Sequence, residues 1–442
     1  MPTSASPPPE QPEPGPFSAW VREQFPSLAL RVGGESVVYL DNPAGTQVPF
    51  QVERAVVGYY REANANTHGS FLTSRRTDAI VEHARLLSAA FLGAESPSEV
   101  AFGPNTTTLT YALSRAFARV FRAGDEVIVS DLDHDANISP WLILQERGVV
   151  IRRVPIRPSD CSLDLSQLER LLSPRTRLVA VGYASNAIGT INDISRITAL
   201  AHAVGAWVWV DAVHYAPHGP IDVQALDVDF LVCSAYKFFG PHLAIFWGKS
   251  ALLAQLPVEQ VRPAPQSAPE KFETGTKNHE GLAGLIGAFE YLAALGARAY
   301  ASEPGMPTTP ARSSSPGDLR RPLLAAMSAI RAHESKLGER LLEGLQSIPG
   351  LRLYGMSRAE DLRLRVPTFG FTLDGIANLE LSQRLAERGI FTWAGNHYAL
   401  TLMERLGIAE TGMVRVGAVH YNTAEEVERL IVALEGIRRE MR

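Results

Sequence analysis

The sequence predicts an α/β fold in which a doubly wound, mixed sheet forms a large domain. Two apolar, β-branched runs at 178–182 and 207–210 are typical of strands buried on both faces of a parallel sheet. Between them, apolar residues recur at helical spacing after Asp193, and Gly205 follows as a stop signal. A strand, a helix and another strand in this order are typical of a doubly wound domain.

Length and composition limit the class of protein. The chain has 442 residues, of which 45% are hydrophobic, and this is enough to bury a large core. A net charge of −5 with dispersed charges argues against nucleic acid or an anionic membrane as the main partner. No apolar stretch approaches membrane-spanning length, and the N-terminus lacks a hydrophobic signal core. We therefore expect a soluble protein.

The two cysteines, Cys161 and Cys233, show neither a metal-binding spacing nor a disulfide framework. Their usage fits a reducing, cytoplasmic setting. No residue is therefore predicted to be a metal ligand.

The chain divides into segments of contrasting composition. A proline-rich N-terminal stretch is predicted to be disordered because it cannot pack a core, and a second polar stretch is typical of a flexible insertion. The C-terminal part predicts a smaller α/β domain whose last helix opens with a capping box at Thr423 and Glu426. The start of the large domain could instead pack on this small domain. The predicted segments are the tail at 1–16, the large domain at 17–295, the insertion at 296–318 and the small domain at 319–442.

The chain is organised around residues 207–240. One apolar run ends on a carboxylate, Asp211, and the next, at 229–233, leads into Ser234 and the lysine Lys237. Because ligands bind beyond the carboxyl ends of strands in such sheets, the acid and the amine would meet at that edge. Either residue alone is more simply explained as a turn cap or a solvated lysine. Together, with Ser234 as a phosphate donor, they predict a cofactor site.

Pyridoxal phosphate is the cofactor that suits this pair. It needs a lysine for its Schiff base and a carboxylate that keeps its pyridinium nitrogen protonated. A partly desolvated site would lower the pKa of Lys237 and so provide it as an amine. The sequence therefore predicts pyridoxal 5'-phosphate between Asp211 and Lys237.

The same stretch resembles the class V aminotransferase family of pyridoxal-phosphate enzymes, in its cysteine desulfurase and selenocysteine lyase branch. The family pattern is D-x-A-[QH], then D-[FY], then S-x-[HY]-K followed by [FLM]-x-G-P. This chain has DAVH at 211–214, DF at 229–230, SAYK at 234–237 and GP at 240–241. The likeness runs from about Tyr39 to about Asn422. It implies the PLP-dependent transferase fold type I, with a large mixed-sheet domain and a smaller C-terminal α/β domain.

Polar residues at a helix start are candidates to hold the cofactor phosphate. Apolar residues recur at helical spacing within 102–122, so a helix should begin near Asn105, Thr106 and Thr107. Hydroxyls and free N–H groups make such a start a phosphate site, although an ordinary N-cap is the favoured explanation of this segment taken alone. The resemblance favours the phosphate site, because the family's matching loop holds that group.

The resemblance implies further contacts around the cofactor ring. His134 matches a family histidine that stacks on the ring and can move protons, and Asn186 matches an asparagine bonded to the ring oxygen. His214 and Tyr236 lie within the matching motifs and are further candidates to bind the cofactor.

A homodimer with a shared active site is also implied. Residues 275–278 match the family's GTxN motif, in which Thr276 would reach the phosphate of the neighbouring subunit. Each active site would then need two chains.

Two segments are implied on the substrate side. Arg415 matches the arginine that clamps the substrate α-carboxylate, for which a guanidinium fork is suited, with a surface arginine as the alternative. The loop at 42–45, with Asn42 and Ala44, matches a loop that lines the pocket, with a plain turn as the alternative. Arg415 therefore predicts an amino-acid substrate.

The chain departs from this branch at the position of its nucleophile. The family's R-x-G-x-H-C-A loop matches 393–399, where Tyr398 stands at the cysteine position. A phenol cannot form a persulfide, and neither Cys161 nor Cys233 is an obvious replacement, so we expect no thiol-route desulfurase chemistry. His397 and Tyr398 are predicted instead to form a substrate-facing wall, with Tyr398 catalytic as a proton relay, unless the loop is only a lid.

Two classes of function fit these residues. The first is an enzyme that forms a Cα carbanion on an amino acid and completes a β-elimination, as a C–S lyase does. An aminotransferase or an epimerase would use the same carbanion. The second class is a pyridoxal-phosphate protein that serves as a scaffold or sensor. The combination of Lys237, Asp211, His134 and Arg415 favours the enzyme.

Overall fold

A computed structural model of the protein describes residues 16–299 and 315–441. The tail predicted at 1–16 lies outside the described residues apart from Pro16. Of the insertion predicted at 296–318, the part 300–314 also lies outside them. Its two edges differ from the expectation, because 296–299 and 316–318 are helical.

The elements are numbered in chain order. The strands are β1 (Arg31–Val32), β2 (Glu35–Ser36), β3 (Val38–Tyr39), β4 (Val100–Gly103), β5 (Glu126–Ser130), β6 (Val150–Val154), β7 (Thr176–Gly182), β8 (Trp207–Asp211), β9 (Phe230–Ser234), β10 (Ala244–Gly248), β11 (Leu351–Tyr354), β12 (Thr368–Leu373), β13 (Ile390–Phe391), β14 (Trp393–Gly395) and β15 (Met413–Gly417). The α-helices are α1 (Pro16–Glu23), α2 (Phe50–Glu62), α3 (Leu72–Leu92), α4 (Thr106–Phe117), α5 (Ser139–Leu142), α6 (Leu165–Leu171), α7 (Ile194–His202), α8 (Ser250–Gln255), α9 (His279–Ala299), α10 (Pro316–Gln346), α11 (Asn378–Glu387), α12 (Leu400–Leu406) and α13 (Ala424–Glu440).

A seven-stranded mixed sheet with the order β4-β10-β9-β8-β7-β5-β6 forms the centre of the large domain. Strands β5 to β9 run parallel to one another, whereas β10 is antiparallel to both β9 and β4. The alternation of strands and helices predicted the doubly wound arrangement, and the family resemblance implied the mixed sheet. The register places Gly182 beside Asp211, so the carboxyl ends of β7 and β8 meet at one edge.

Side chains alternate between the two faces of the sheet, and both faces are covered. On β8, Val208 and Val210 pack into one core cluster and Trp209 into the other. On β9, Cys233 belongs to the first cluster and Phe230 to the second. Burial on both faces explains why these strands are continuous apolar runs without a polar alternation.

Helix α9 is long and apolar enough, by length and composition, to cross a membrane. The sequence analysis expected no apolar stretch of membrane-spanning length, and helix α9 does not fit that expectation. In the structure α9 is a core helix: 67% of its most apolar window is buried, and it packs against α2, α3 and α10. A Cβ on Gly287 would come within 2.6 Å of the Gln51 carbonyl oxygen, so glycine permits the close approach of α2 and α9.

The smaller C-terminal layer is an antiparallel sheet with the order β11-β12-β15-β14. Beside it, β3 from the N-terminal segment pairs in parallel with β13, so the N-terminal segment does pack on the small domain. Helix α13 begins with the expected capping box between Thr423 and Glu426.

Helix α10 contributes to both hydrophobic cores. Its first half, including Leu323 and Ile330, belongs to the main core of the large domain, and Leu337 and Leu341 belong to the core of the small domain. The sequence had assigned this helix to the small domain alone. One continuous helix instead joins the two layers.

Candidate active site

A cavity of about 70 Å³ lies at the carboxyl ends of the parallel strands. Its lining comes from the ends of β7, β8 and β9, from the segment after β5 and from the start of α4. The lining residues are Thr106, Thr107, Asp133, His134, Ala136, Gly182, Ala184, Asn186, Asp211, Val213, His214, Tyr236 and Lys237. Eight of the residues predicted from sequence are thus brought together here.

Lys237 ends a short 3-10 turn that follows β9, and its side chain is buried. The ammonium group donates a hydrogen bond to the carbonyl of Pro43 and lies 5.0 Å from the centre of the Tyr236 ring. Burial, followed by the charge of Arg415, lowers the pKa of Lys237 to about 7. The lysine is therefore available as a neutral amine near neutral pH.

Asp211 is the last residue of β8, and its carboxylate reaches the same cavity. Oδ1 accepts a hydrogen bond of 2.9 Å from the Val213 amide. Burial raises the pKa of Asp211 to about 6, and the Val213 amide and Lys237 oppose that rise. A cationic ring nitrogen placed against this carboxyl group would restore its negative charge.

His134 presents one ring nitrogen to the protein and the other to the cavity. Its Nδ1 accepts a hydrogen bond of 3.0 Å from the Ala136 amide, which assigns the proton of the neutral ring to Nε2. Burial, followed by the charge of Lys237, lowers the pKa of His134 to about 4. The ring is therefore neutral and offers Nε2–H as a donor.

Asp133 also lines the cavity, and the sequence analysis missed it. Its carboxylate accepts hydrogen bonds from the Gly182 amide at 2.9 Å and from Asn137 Nδ2 at 2.8 Å. Burial raises the pKa of Asp133 to about 7, against these hydrogen bonds, and Asp211 contributes to the rise. Its position just after the end of β5, beside His134, was the signal that could have identified it.

The predicted phosphate loop forms the start of α4. Asn105 is the N-cap, and its Oδ1 accepts from the Thr108 amide at 2.8 Å. The hydroxyls of Thr106 and Ser234 are 2.5 Å apart. Thr106 and Thr107 line the cavity, whereas Asn105 is occupied as a cap and Ser234 contacts Thr106. Hydroxyls at a helix start are suited to a phosphate.

Two cavity residues carry buried polar atoms without a protein partner. Asn186 donates from Nδ2 to the His397 carbonyl at 2.8 Å, and its Oδ1 has no partner in the described part of the chain. His214 contacts the Thr368 hydroxyl through Nε2 at 3.0 Å, and its Nδ1 is equally unpartnered among those residues. Buried polar atoms of this kind normally find a partner, and a bound ligand would supply one.

Arg415 stands beside the cavity, on β15. Its Nη1 donates to the Asn186 carbonyl at 3.0 Å, and its Nη2 is 3.3 Å from Asp41 Oδ1. Val414 and Val416 point into the small-domain core, so the alternation of the strand directs Arg415 to the opposite face, as expected. Burial lowers the pKa of Arg415, and Asp41 opposes that effect.

In the predicted substrate loop at 42–45, the side chain of Asn42 does not face the cavity as expected. Asn42 Nδ2 donates to the Gly417 carbonyl at 2.7 Å, and its Oδ1 accepts from the Tyr421 hydroxyl. Its amide therefore fixes the loop to the small domain and does not line the cavity. Ala44 is exposed, and the group of this loop that reaches the site is the Pro43 carbonyl.

The predicted substrate-facing wall lies at the outer side of His134. Both His397 and Tyr398 have φ of +54°, a conformation rare for residues other than glycine. The Tyr398 ring is 72% exposed and stacks on the His134 ring, with centroids 5.5 Å apart. The His397 ring is buried and contacts the Met413 carbonyl at 3.1 Å, so it faces the small domain.

Thr276 is exposed and lies outside the cavity. It borders a separate groove of about 340 Å³, together with Thr108 on the outer side of α4. A single chain therefore does not bring Thr276 to the predicted phosphate site.

Both cysteines, Cys161 and Cys233, are free and buried. Burial raises the pKa of Cys161, and burial with the charge of Asp211 raises that of Cys233. Neither thiol is a ready nucleophile. Within the described residues there is no cluster of His, Cys, Asp and Glu that could hold a metal ion.

Most of the chain is similar to known proteins. The sequence profile of the aminotransferase class-V family matches residues 38–305 and 323–430. The chain is 33% identical over 435 residues to a cysteine desulfurase of Serratia proteamaculans, covering 95% of this chain and 98% of that protein.

Solved structures give the same likeness. The cysteine desulfurase CsdA of Escherichia coli, in its S-sulfonic acid form, has a TM-score of 0.78 and 29% identity. The apo cysteine desulfurase of Thermococcus onnurineus NA1 has a TM-score of 0.80 and 25% identity. Each alignment covers 96% of this chain and 98% of the other.

Proposed function

The chain belongs to the class V aminotransferase family, and from that premise we propose that it eliminates a group from Cβ of an amino acid without storing sulfur on a thiol. Family membership makes it a pyridoxal-phosphate enzyme similar to the cysteine desulfurases. In the proposed reaction the Cα–H and Cβ–X bonds break and HX leaves. Hydrolysis with one water then gives a keto acid and ammonia.

The observation that carries this proposal is the absence of a usable thiol. The resemblance of 393–399 to the family's R-x-G-x-H-C-A loop puts Tyr398 at the cysteine position, and a phenol cannot hold a persulfide sulfur. The raised pKa values of the buried Cys161 and Cys233 make both poor substitutes. Chemistry at Cα and Cβ needs no thiol, so the rest of the site remains consistent with catalysis.

The cavity residues fit the cofactor. When bound, pyridoxal phosphate supplies an electron sink for the negative charge that develops at Cα. Lys237 would attach it, the Asp211 carboxylate would hold its ring nitrogen, and Thr106 and Thr107 would hold its phosphate. The unpartnered atoms of Asn186 and His214 would face its ring substituents. His214 would do so as a neutral ring, because burial lowers its pKa.

Lys237 is the group proposed to take the proton from Cα. Its pKa of about 7 leaves a substantial neutral fraction near neutral pH, so Nζ can accept a proton. His134 would donate a hydrogen bond from Nε2 toward the cavity, since Nδ1 is occupied by the Ala136 amide. Arg415 would hold the substrate carboxylate and so fix which Cα bond is aligned for cleavage.

Tyr398 is proposed to deliver a proton at the mouth of the site. Its ring covers His134, and its exposure leaves the phenol free to approach a leaving group or Cα. The alternative is a lid whose ring only shields His134 from water.

The reaction products test the proposal. Purified enzyme would be supplied with L-cysteine and a panel of other amino acids that carry a leaving group on Cβ. We expect keto acid and ammonia in equal amounts, with sulfide when cysteine is the substrate. Alanine together with a protein-bound persulfide would contradict the proposal and indicate a desulfurase. Amino transfer to an added keto acid, or inversion at Cα, would indicate an aminotransferase or an epimerase.

We further propose a cytoplasmic homodimer in which Thr276 completes the partner's phosphate site. Its position outside the cavity of its own chain supports this assembly. Sedimentation of holoenzyme and of a Thr276→Ala variant tests it. A wild-type monomer with full cofactor occupancy would contradict the shared site.

A further inference from the structure

Arg415 is neutralised by an anion of the protein itself. Asp41 Oδ1 lies 3.3 Å from Arg415 Nη2, and both residues are largely buried, with relative exposures of 9% for Asp41 and 4% for Arg415. The opposite nitrogen, Nη1, is held by the Asn186 carbonyl. The two contacts fix the plane of the guanidinium before any ligand binds.

One donor of this guanidinium is unused. Arg415 Nε is buried and has no hydrogen-bond partner in the described part of the chain. A carboxylate that binds an arginine side-on takes Nε and the neighbouring Nη2 through two parallel hydrogen bonds. Asp41 occupies one end of that edge with a single contact and leaves the other end open. The unsatisfied Nε indicates that a second acceptor belongs there.

Asp41 also acts on Lys237. Its charge raises the pKa of Lys237, against burial and Arg415, which lower it. Two residues further on, the Pro43 carbonyl accepts the hydrogen bond of the same ammonium group. The loop that begins at Asp41 therefore faces both cations of the site.

The backbone holds Asp41 in this place. It forms an isolated parallel bridge with Gly417, two residues beyond Arg415, and the Gly417 amide donates to the Leu40 carbonyl at 2.8 Å. Arg415 and Asp41 therefore lie on directly adjoining backbone segments, which restricts how far the carboxylate can withdraw from the arginine.

We propose that Asp41 is the internal counter-ion of Arg415, and that a substrate carboxylate must share or displace it. Asp41 is thus a specificity-determining residue, because it weakens the binding of every anionic ligand at this edge and leaves neutral ligands unaffected. The inference rests on the proposed carboxylate clamp by Arg415 and deepens it. Burial raises the pKa of Asp41 while Arg415 opposes the rise, so the pair is kept at an energetic cost that a ligand can relieve.

Binding of propionate to the holoenzyme tests this role, since propionate has a carboxylate but no amine that could react with the cofactor. Asp41→Asn keeps the hydrogen-bonding oxygen and the size but removes the charge. We expect propionate to bind this variant about tenfold more tightly by titration calorimetry, because the competing anion is gone. Propionamide, the neutral analogue, should show no change. Unchanged or weaker propionate binding would mean that Asp41 only orients Arg415, and would overturn the proposal.

Two further variants make the result decisive. Asp361→Asn removes another buried aspartate that is paired with an arginine, Arg358, and it should leave propionate binding unchanged. If Asp41→Asn does not fold, Asp41→Ser removes the same charge in a smaller side chain, and the same gain is expected.

Arg415→Lys separates the inference from the function on which it rests. If this change leaves propionate binding intact, the carboxylate clamp itself is wrong. If it weakens binding while Asp41→Asn changes nothing, only the role of Asp41 is wrong.

Discussion

The cavity is bounded by two regions of different structure, which are called here its floor and its predicted substrate-facing wall. The floor, formed by Lys237, Asp211 and Asp133, lies at the ends of parallel strands that are buried on both faces. The wall is the exposed ring of Tyr398, on a short loop between β14 and α12 in which Tyr398 and the buried His397 both have positive φ. The floor carries the groups that the family's cofactor needs. The wall carries Tyr398, on which the proposed difference from the desulfurases rests.

This difference indicates where a change of reaction can arise at the smallest structural cost. A new residue on the floor would have to satisfy a close-packed core, in which volume changes are strongly felt. Tyr398 is 72% exposed, so a larger side chain is accommodated there without repacking. Under the proposed function, the same floor would serve several reactions at Cα, and a change at the wall would be enough to alter which of them is completed.

The largest effect is expected from the floor. Lys237→Ala should abolish covalent attachment of the cofactor and lower turnover by about 1,000-fold or more, because the amine that binds the cofactor and moves the Cα proton is lost. Mass spectrometry after borohydride reduction checks the attachment in the wild type. Lys249→Ala is a control, since that lysine is paired with Asp227 and Asp229. A wild-type label on Lys249 or Lys271 would refute the assignment.

Asp211→Ala should leave the cofactor attached and reduce turnover by about 100-fold or more, since the ring nitrogen loses its anionic partner. Absorbance of the bound cofactor reports attachment, and keto acid formation reports turnover. Near-normal turnover with bound cofactor would show that Asp211 does not face the ring nitrogen.

The burial of the floor also predicts a pH dependence. The pKa of Lys237 is lowered to about 7, so the reactive neutral amine is populated above pH 7 and lost as the pH falls below it. The rate of cofactor attachment to the apo protein should therefore rise with pH, with a midpoint near pH 7 and a plateau above it. Stopped-flow absorbance can follow this rate. A midpoint near 10 would mean that the lysine is solvated.

A smaller effect is expected from the wall. Tyr398→Phe removes the hydroxyl and keeps the ring, so a proton relay predicts a loss of turnover of about tenfold with cofactor attachment intact. Tyr60→Phe, at another exposed tyrosine, serves as the matched control. Unchanged turnover in Tyr398→Phe would leave the loop as a lid only.

The sequence predicted the floor well because strand ends are local features. Apolar runs located β8 and β9, and the carboxyl-end rule then placed Asp211 and Lys237 at one edge. Asp133 obeys the same rule and was overlooked beside the more familiar His134. Helix periodicity located the start of α4 at Thr106 and Thr107, whereas their candidate role at the phosphate came from the family resemblance.

Contacts between distant segments could not be predicted in this manner. Asp41 and Arg415 are 374 residues apart, and only the folded chain shows that they form a pair. Asn42 was expected to line the pocket, but its amide is taken up by Gly417 and Tyr421, which no local pattern reveals. The sequence did not show that helix α9 is long and apolar enough to cross a membrane, because glycines and scattered polar residues interrupt its apolar pattern.

Helix α10 belongs to the hydrophobic cores of both layers. At 31 residues it is a rod of about 46 Å, with its first part in one core and its later part in the other. Near its start it crosses α9 so closely that a Cβ on Gly296 would collide with the Pro322 carbonyl, which clamps that end. Because one continuous helix belongs to both cores, a substitution that shifts α10 would disturb the packing of both layers at once.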